Sequence, residues 1–353
     1  MNGILRRIGT AISSPGSVSI VTRTIATKAY WLLKQGRTGA SIGFLIESIV
    51  GWNPYYERLV RRHPERFVVT DVRDHWMKLD SHDTGISRTL LSYGTHEHLS
   101  TSVFENELRR LAAEITGEIT VLEIGANIGY FSLVEAETLG TRARIHAIEP
   151  EPENASLLER NVALNGHEDV VDIEHCAIGD TVDPVELHVS DLSNRHGIRQ
   201  ASDDAGPTRS AVMRHDAETV ANTNTPSLGT VPVRQTTVDR FLADRDISPD
   251  AVDAIRMDVE GYETAIFAGM ESVLEATTPL VIYLEFHQNY LTDGSAKTIV
   301  TALAENGFEI VSAVNEVGAT IGGVPRWYGR QLDIETFEDL LAEDHYVELV
   351  VRR

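Results

Sequence analysis

The segment VLEIGANIGYF, residues 121–131, constrains this chain more than any other. Four strand-like residues run into a glycine-containing turn, and a helical pattern follows. Glycine at such a turn lets the backbone approach a ligand closely, which is how a nucleotide-type cofactor pocket begins. Around it, short apolar runs alternate with helical patterns. They are ITVLEI (119–124), ARIHAIE (143–149), VVDIEHCAI (170–178), VDAIRMDV (252–259), PLVIYLEFH (279–287), FEIVSAV (308–314) and YVELVVRR (346–353). The first three recur roughly every 25 residues, a spacing that suits βαβ units and a parallel sheet.

Three parts are legible. Residues 1–66 read as a mostly helical N-terminal segment. Residues 67–100 read as a lead-in of short strands and turns. Residues 101–353 read as the β/α domain, entered through the helix VFENELRRLAAEI (103–115). A polar stretch near 190–230, with SDDAGPTRS and ANTNTPSLGT, reads as a loop insertion, either a binding loop or a disordered one.

Charge narrows the function. Fifty-three acidic against 31 basic residues leave a formal charge of −22, which repels phosphates, so a nucleic-acid partner is not expected. Lysine occurs only at Lys28, Lys34, Lys78 and Lys297; an acid-rich, lysine-poor chain resembles proteins of salt-loving archaea. The single cysteine, Cys176, excludes an intrachain disulfide and a cysteine-rich zinc site, and reads as a small buried residue. No apolar run reaches the ~18 residues that span a bilayer, and the first residues lack the apolar core of a signal peptide, so a cytoplasmic location is expected.

The charge is unevenly spread. Residues 1–46 hold six basic residues and no acid, leaving −28 for the remainder. Val18, Val21, Ile25, Ala29 and Leu32 recur at helical spacing among basic residues. Such a helix can lie on an anionic membrane surface as a peripheral contact, pack on the acidic body, or meet a partner subunit. The oligomeric state is not legible.

A dinucleotide turn would read G-x-G-x-x-G. Here Gly125 is followed by Asn127 and Tyr130 where the second and third glycines belong. The spacing is instead Glu123, Gly125, Asn127, Gly129. An acid at Glu123 would repel a pyrophosphate and attract the ammonium of S-adenosylmethionine, directly or through water. Glu149 closes the next strand 24 residues after Gly125, where an acid can accept both ribose hydroxyls; a helix cap or surface carboxylate is the alternative.

Taken together, LEIGANIGYFSL, IEPEPENASLLERNVALNG, CAIGD, TTVDRFL, IRMDVEGYETAIFAGM and PLVIYLEFH resemble the FkbM-type S-adenosylmethionine-dependent methyltransferases. The resemblance covers most of 80–320 in the right order, with DTGISRTLLSYGTHE similar to the family's lead-in. It implies an α/β fold with a Rossmann-like seven-stranded methyltransferase sheet, mostly parallel, with one antiparallel strand near the end. It implies S-adenosyl-L-methionine as cofactor and methyl transfer, usually to an oxygen of a sugar or secondary metabolite. The implied cofactor residues are Glu97, Glu123, Gly125, Ala126, Asn127 and Gly129, then Tyr130, Glu149, Pro150, Ala177 and Asp258. The first 66 residues lie outside the resemblance.

Ligands of open β/α sheets bind beyond the carboxyl ends of the strands. There Asp258 and Glu260 stand two apart and would share a face if their strand persists, with Gly261 turning the chain toward Glu263. Glu285 and His287 stand at the mouth of PLVIYLEFH. A hydroxyl acceptor benefits from a base, for which His287 is the first candidate and Asp258 the second. Glu260 and Glu285 could orient the acceptor or the base. These four side chains form an oxygen-rich set, but their spacing is not specific and no metal is expected. Ser193, Asn194 and His196 could reach the acceptor or be solvated. The reading is an O-methyltransferase acting on a hydroxyl or uronic carboxylate of a glycan, lipid-linked sugar or secondary metabolite. A nicotinamide-dependent oxidoreductase and a non-catalytic glycan-binding or scaffold protein remain as rivals.

Overall fold

In a computed structural model the described residues are 25–26, 28–190, 197–198, 227–286, 294–321, 324–342 and 347–353. Two units emerge: Met1–Thr101 with Val314–Leu332, and Ser102–Ala313 with Asp333–Arg353.

The first unit is built from α1 (Thr38–Val50), α2 (Pro54–Arg62), the strands β1 (Phe67–Val72) and β2 (His75–Asp80), and α3 (Ile86–Tyr93). Residues 28–34 are also helical; Val18 and Val21 of the expected amphipathic helix lie outside the described residues. Asn53 caps α2 by accepting the N–H groups of Tyr55 and Tyr56. β1 and β2 pair antiparallel across Arg73 and Asp74, both at positive φ, the backbone twist a tight hairpin needs. The reading of 67–100 as strands and turns alone missed α3. Asp83 starts that helix by accepting the N–H groups of Gly85 and Ser87, and left-handed Gly94 ends it. Ala29, Leu32, Ala40 and Phe44 form a small core against which Tyr93 packs.

The helix α4 (His98–Glu114) starts five residues before the predicted 103 and carries the chain into the second unit. There β3 (Ile119–Ile124), α5 (Tyr130–Leu139), β4 (Ala143–Ile148), α6 (Pro152–Asn165) and β5 (Val171–Glu174) follow as βαβ units. The predicted strand 170–178 splits: Cys176 turns back onto the Glu174 carbonyl, and β6 (Ala177–Ile178) leaves the sheet to pair with β10 (Gln235–Thr236). Between them β7 (Val185–Ser190), β8 (Gly197–Ile198) and β9 (Ser227–Val233) form a separate small sheet. The rest of the 190–230 insertion, with Ser193, Asn194 and His196, lies outside the described residues. Next come α7 (Val238–Ala243), β11 (Val252–Met257), α8 (Glu263–Ala268), α9 (Glu271–Glu275), β12 (Val281–Phe286) and α10 (Ser295–Glu305). The chain closes with β13 (Glu309–Ile321) and β14 (Val324–Gln331), which from Val314 onward count with the first unit, then α11 (Phe337–Leu341) and β15 (Val347–Arg352).

The main sheet has the order β14-β13-β15-β12-β11-β3-β4-β5. β5, β4, β3, β11 and β12 are mutually parallel, and β15 runs antiparallel to β12. This is the expected seven-stranded arrangement, extended by β14 as an eighth strand that hairpins with β13. Every residue of β3 and β12 is buried, as when both faces of a parallel sheet are covered. Among the described residues, no helix is long and apolar enough to cross a membrane.

Candidate active site

Strand order reverses between β3 and β11, so the turns leaving their carboxyl ends diverge and open a crevice. The turn after β3 is fixed residue by residue. Gly125 stands at φ 85°, and a Cβ there would lie 2.1 Å from the Asp258 carbonyl oxygen. Asn127 stands at φ 52°, a conformation asparagine tolerates, and its side chain accepts the N–H of Ile128 at 2.8 Å. Gly129, at φ 85°, starts α5, and a Cβ there would meet Leu158 of α6 at 2.6 Å. The G-x-N-x-G part of the spacing is therefore a record of backbone geometry.

β4 ends one residue before Glu149, whose carboxylate accepts the N–H of Asn127 at 2.7 Å and that of Glu151 at 2.9 Å. Glu149 thus ties the β3 turn to the start of α6. It is not the helix cap; Glu151 is, accepting the N–H of Asn154. Glu149 is buried, and burial pushes its carboxyl up to about 8 against the two N–H bonds that pull it down.

A cleft of about 630 Å³, counting open solvent at its mouth, lies against these groups. Of the expected cofactor residues, Gly125, Asn127, Glu149, Pro150, Ala177 and Asp258 line it. Ala126 and Tyr130 do not; both are buried, Tyr130 packing edge-on against Phe131. Gly129 shapes the turn from behind. Glu97 belongs to the first unit, where His96 Nε2 lies 2.9 Å from its carboxylate.

Of the expected catalytic residues, Asp258 and Glu260 line the cleft. They do not share a strand face, because β11 ends at Met257 and Glu260 stands at φ 51°. Gly261, at φ 99°, completes the turn, and Glu263 Oε1 accepts its N–H. Glu285 is a buried residue of β12 opposite Glu348 of β15 and does not line the cleft. His287 lies outside the described residues.

Sequence reasoning pointed to one edge of the apolar wall, the CAIGD segment with Ile178, and missed the rest. Ile178, Leu187, Ile198 and Tyr262 also line the cleft. Leu187 and Ile198 come from the small β7–β8–β9 sheet, and no spacing rule points to them. Tyr262 does have a signal, since it follows Gly261; its hydroxyl donates to Gln235 at 2.9 Å.

Behind the cleft runs a buried charged row. Register places Glu123, Arg256 and Tyr283 side by side on β3, β11 and β12. Glu123 is fully buried, accepts the Ser132 hydroxyl, and lies 3.9 Å from Arg256. It therefore faces the interior of the unit and is not among the residues that line the cleft. Arg256 stacks 3.5 Å over the Phe131 ring and comes within 3.5 Å of Asp258. Burial raises the Glu123 carboxyl, with Arg256 drawing it back. Glu135 on α5 is raised well above the carboxylate range by burial and by the charge of Glu123. Among the described residues, neither oxygen of Glu135 has a hydrogen-bond partner.

The family model described as "Methyltransferase FkbM domain" matches residues 123–310, more than half of the chain. A search of the curated proteins finds no match. Among solved structures, TYW2 of M. jannaschii in complex with AdoMet is 14% identical, with TM-score 0.37, over 82% of this chain and 87% of that one. The SAM-dependent methyltransferase from Agrobacterium tumefaciens is 11% identical, with TM-score 0.40, over 82% and 70%. Methyltransferase FkbM from Methylobacillus flagellatus KT is 14% identical, with TM-score 0.36, over 76% and 54%.

Proposed function

This chain belongs to the FkbM methyltransferase family, and we propose that its cleft holds S-adenosylmethionine for methyl transfer to an oxygen. The acceptor in this reading is a hydroxyl or uronic carboxylate of a glycan, lipid-linked sugar or secondary metabolite. The observation that carries the cofactor assignment is the buried Glu149 carboxyl on the cleft wall, held by two backbone N–H groups. Each carboxylate oxygen keeps acceptor capacity for a ribose hydroxyl. Ile178, Leu187 and Ile198 supply an apolar wall suited to a purine. Asp258 and Glu260 bring negative charge to a site that would receive a cationic ligand.

S-adenosylmethionine, when bound, supplies an electrophilic methyl group on a sulfonium. The chain's own part is to exclude water and hold the acceptor oxygen in line. Gly125 keeps the floor of the cleft open, since any side chain there collides with the Asp258 carbonyl. In this reading Asp258 and Glu260, both on the cleft wall, orient or deprotonate the hydroxyl. A hydride-transfer reading lacks both the glycine spacing and support from the family. The net charge of −22 weighs against a nucleic-acid acceptor.

The test is calorimetric titration of S-adenosylmethionine and S-adenosylhomocysteine in concentrated KCl, beside Glu149→Ala. Binding by the wild type, weakened at least about tenfold in the variant, supports the reading and leads to acceptor screening with glycolipid extracts. No binding by a folded wild-type protein would overturn it.

A further inference from the structure

Exposed apolar surface is concentrated in one unit. Of the 13 exposed large apolar side chains among the described residues, ten lie between Tyr30 and Trp76, all in the first unit. Seven of them fall between Tyr30 and Trp52. On α1, Ala40, Ser41, Phe44 and Ser48 face inward, while Ile42, Leu45 and Ile49 recur at helical spacing on the outer side. Ile49 is 68% exposed, and Val50 and Trp52 continue the surface at 60% and 52%. An exposed apolar row of this kind marks an interaction site.

We propose that the outer face of α1, with Trp52 at its end, docks on an anionic lipid surface. Charge decides between occupants. Glu47 is the only acid in residues 1–56, and it is turned inward to Arg88, Asn53 and Tyr93. The same stretch holds six basic residues on a chain of −22; of the three that are described, Lys34 is exposed, Lys28 lies over the Phe44 and Tyr93 rings, and Arg37 pairs with Asp71. A face stripped of acid on so acidic a molecule complements an anionic surface. The helix is about 20 Å long, too short to span a bilayer but able to lie in the headgroup plane. Trp52 suits that depth. This inference stands apart from the chemistry of the cleft.

The experiment is co-sedimentation of the full chain with phosphatidylglycerol vesicles and with phosphatidylcholine vesicles, at low and high KCl. Its variants are Ile42→Asp/Ile49→Asp together, and Trp52→Ala alone. The wild type is expected to pellet with anionic vesicles and much less with neutral ones. The double variant should lose at least about tenfold in partitioning, and Trp52→Ala should fall between. S-adenosylmethionine binding without vesicles, measured on the same samples, reports separately on the cleft and on folding. No wild-type binding to either vesicle, equal binding to both, or unchanged binding by a folded double variant would each overturn the proposal. So would self-association that the double variant abolishes in the absence of any vesicle binding.

Discussion

Glu149 offers a prediction in which proton, ligand and fold are coupled. Its carboxyl titrates at about 8 in the folded protein against an ordinary 4.5, because burial penalises the charged form more than two N–H bonds support it. Between those values the folded protein holds a proton that the unfolded chain has released. Stability from this group therefore falls as pH rises from 4.5 to 8, by up to about 5 kcal/mol at full titration. Glu149→Gln removes that slope. The variant also leaves one of two backbone N–H groups facing an amide donor, at about 1–3 kcal/mol across the whole range. Ligand binding has the opposite sign. Ribose hydroxyls donating to Glu149 favour the ionised form, which at pH 6 is only about one part in a hundred. A ribose ligand should therefore bind about 100-fold more weakly at pH 6 than at pH 9, with about one proton released on binding at the lower pH. The ligand of choice is 5′-methylthioadenosine, which has ribose and adenine but no amino acid to titrate in this window. Calorimetry from pH 6 to 9 in two buffers of different ionisation enthalpy measures both affinity and proton release. An affinity constant within about threefold over that range, with no proton release, would refute the coupling of Glu149 to ribose.

Two further outcomes follow from the same geometry. Gly125→Ala forces a Cβ toward the Asp258 carbonyl at 2.1 Å and a left-handed φ on alanine; a loss of about 2–5 kcal/mol in denaturant unfolding is expected, against under about 1 kcal/mol if the turn relaxes freely. Arg256→Met leaves Glu123 buried without its cation; a loss of about 3–5 kcal/mol is expected at pH 8. Glu123 takes up a proton in the variant, so the loss should shrink toward pH 5, and a pH-independent difference in urea midpoints would count against the charged row.

The strands of the β/α unit were legible because each is a short apolar run, and burial on both faces leaves such runs nearly continuous. Gly125, Asn127 and Gly129 were legible because each meets a local backbone demand. α3 was not, since its start depends on the Asp83 carboxylate reaching Gly85 and Ser87 rather than on a long apolar period. Asp258 and Glu260 were placed on one face by an alternation that stops at Met257. Once the chain leaves the strand for a left-handed residue, period-two reasoning no longer applies.

By itself, then, the sequence determined what short-range sterics and periodicity dictate: a β/α sheet, a ligand turn after β3, and an acid closing β4. Tertiary structure decided which of these groups share a cleft. Glu123 and Glu149 are both strand-end acids, yet one lies in a buried row beside Arg256 and the other on the cleft wall. The difference comes from where each carboxylate finds donors: Ser132 on the helix packed over β3, or the N–H groups of Asn127 and Glu151 beyond β4. Leu187 and Ile198 join the wall only because a separate small sheet folds beside it. Such meetings are set by long-range packing, which no local spacing encodes.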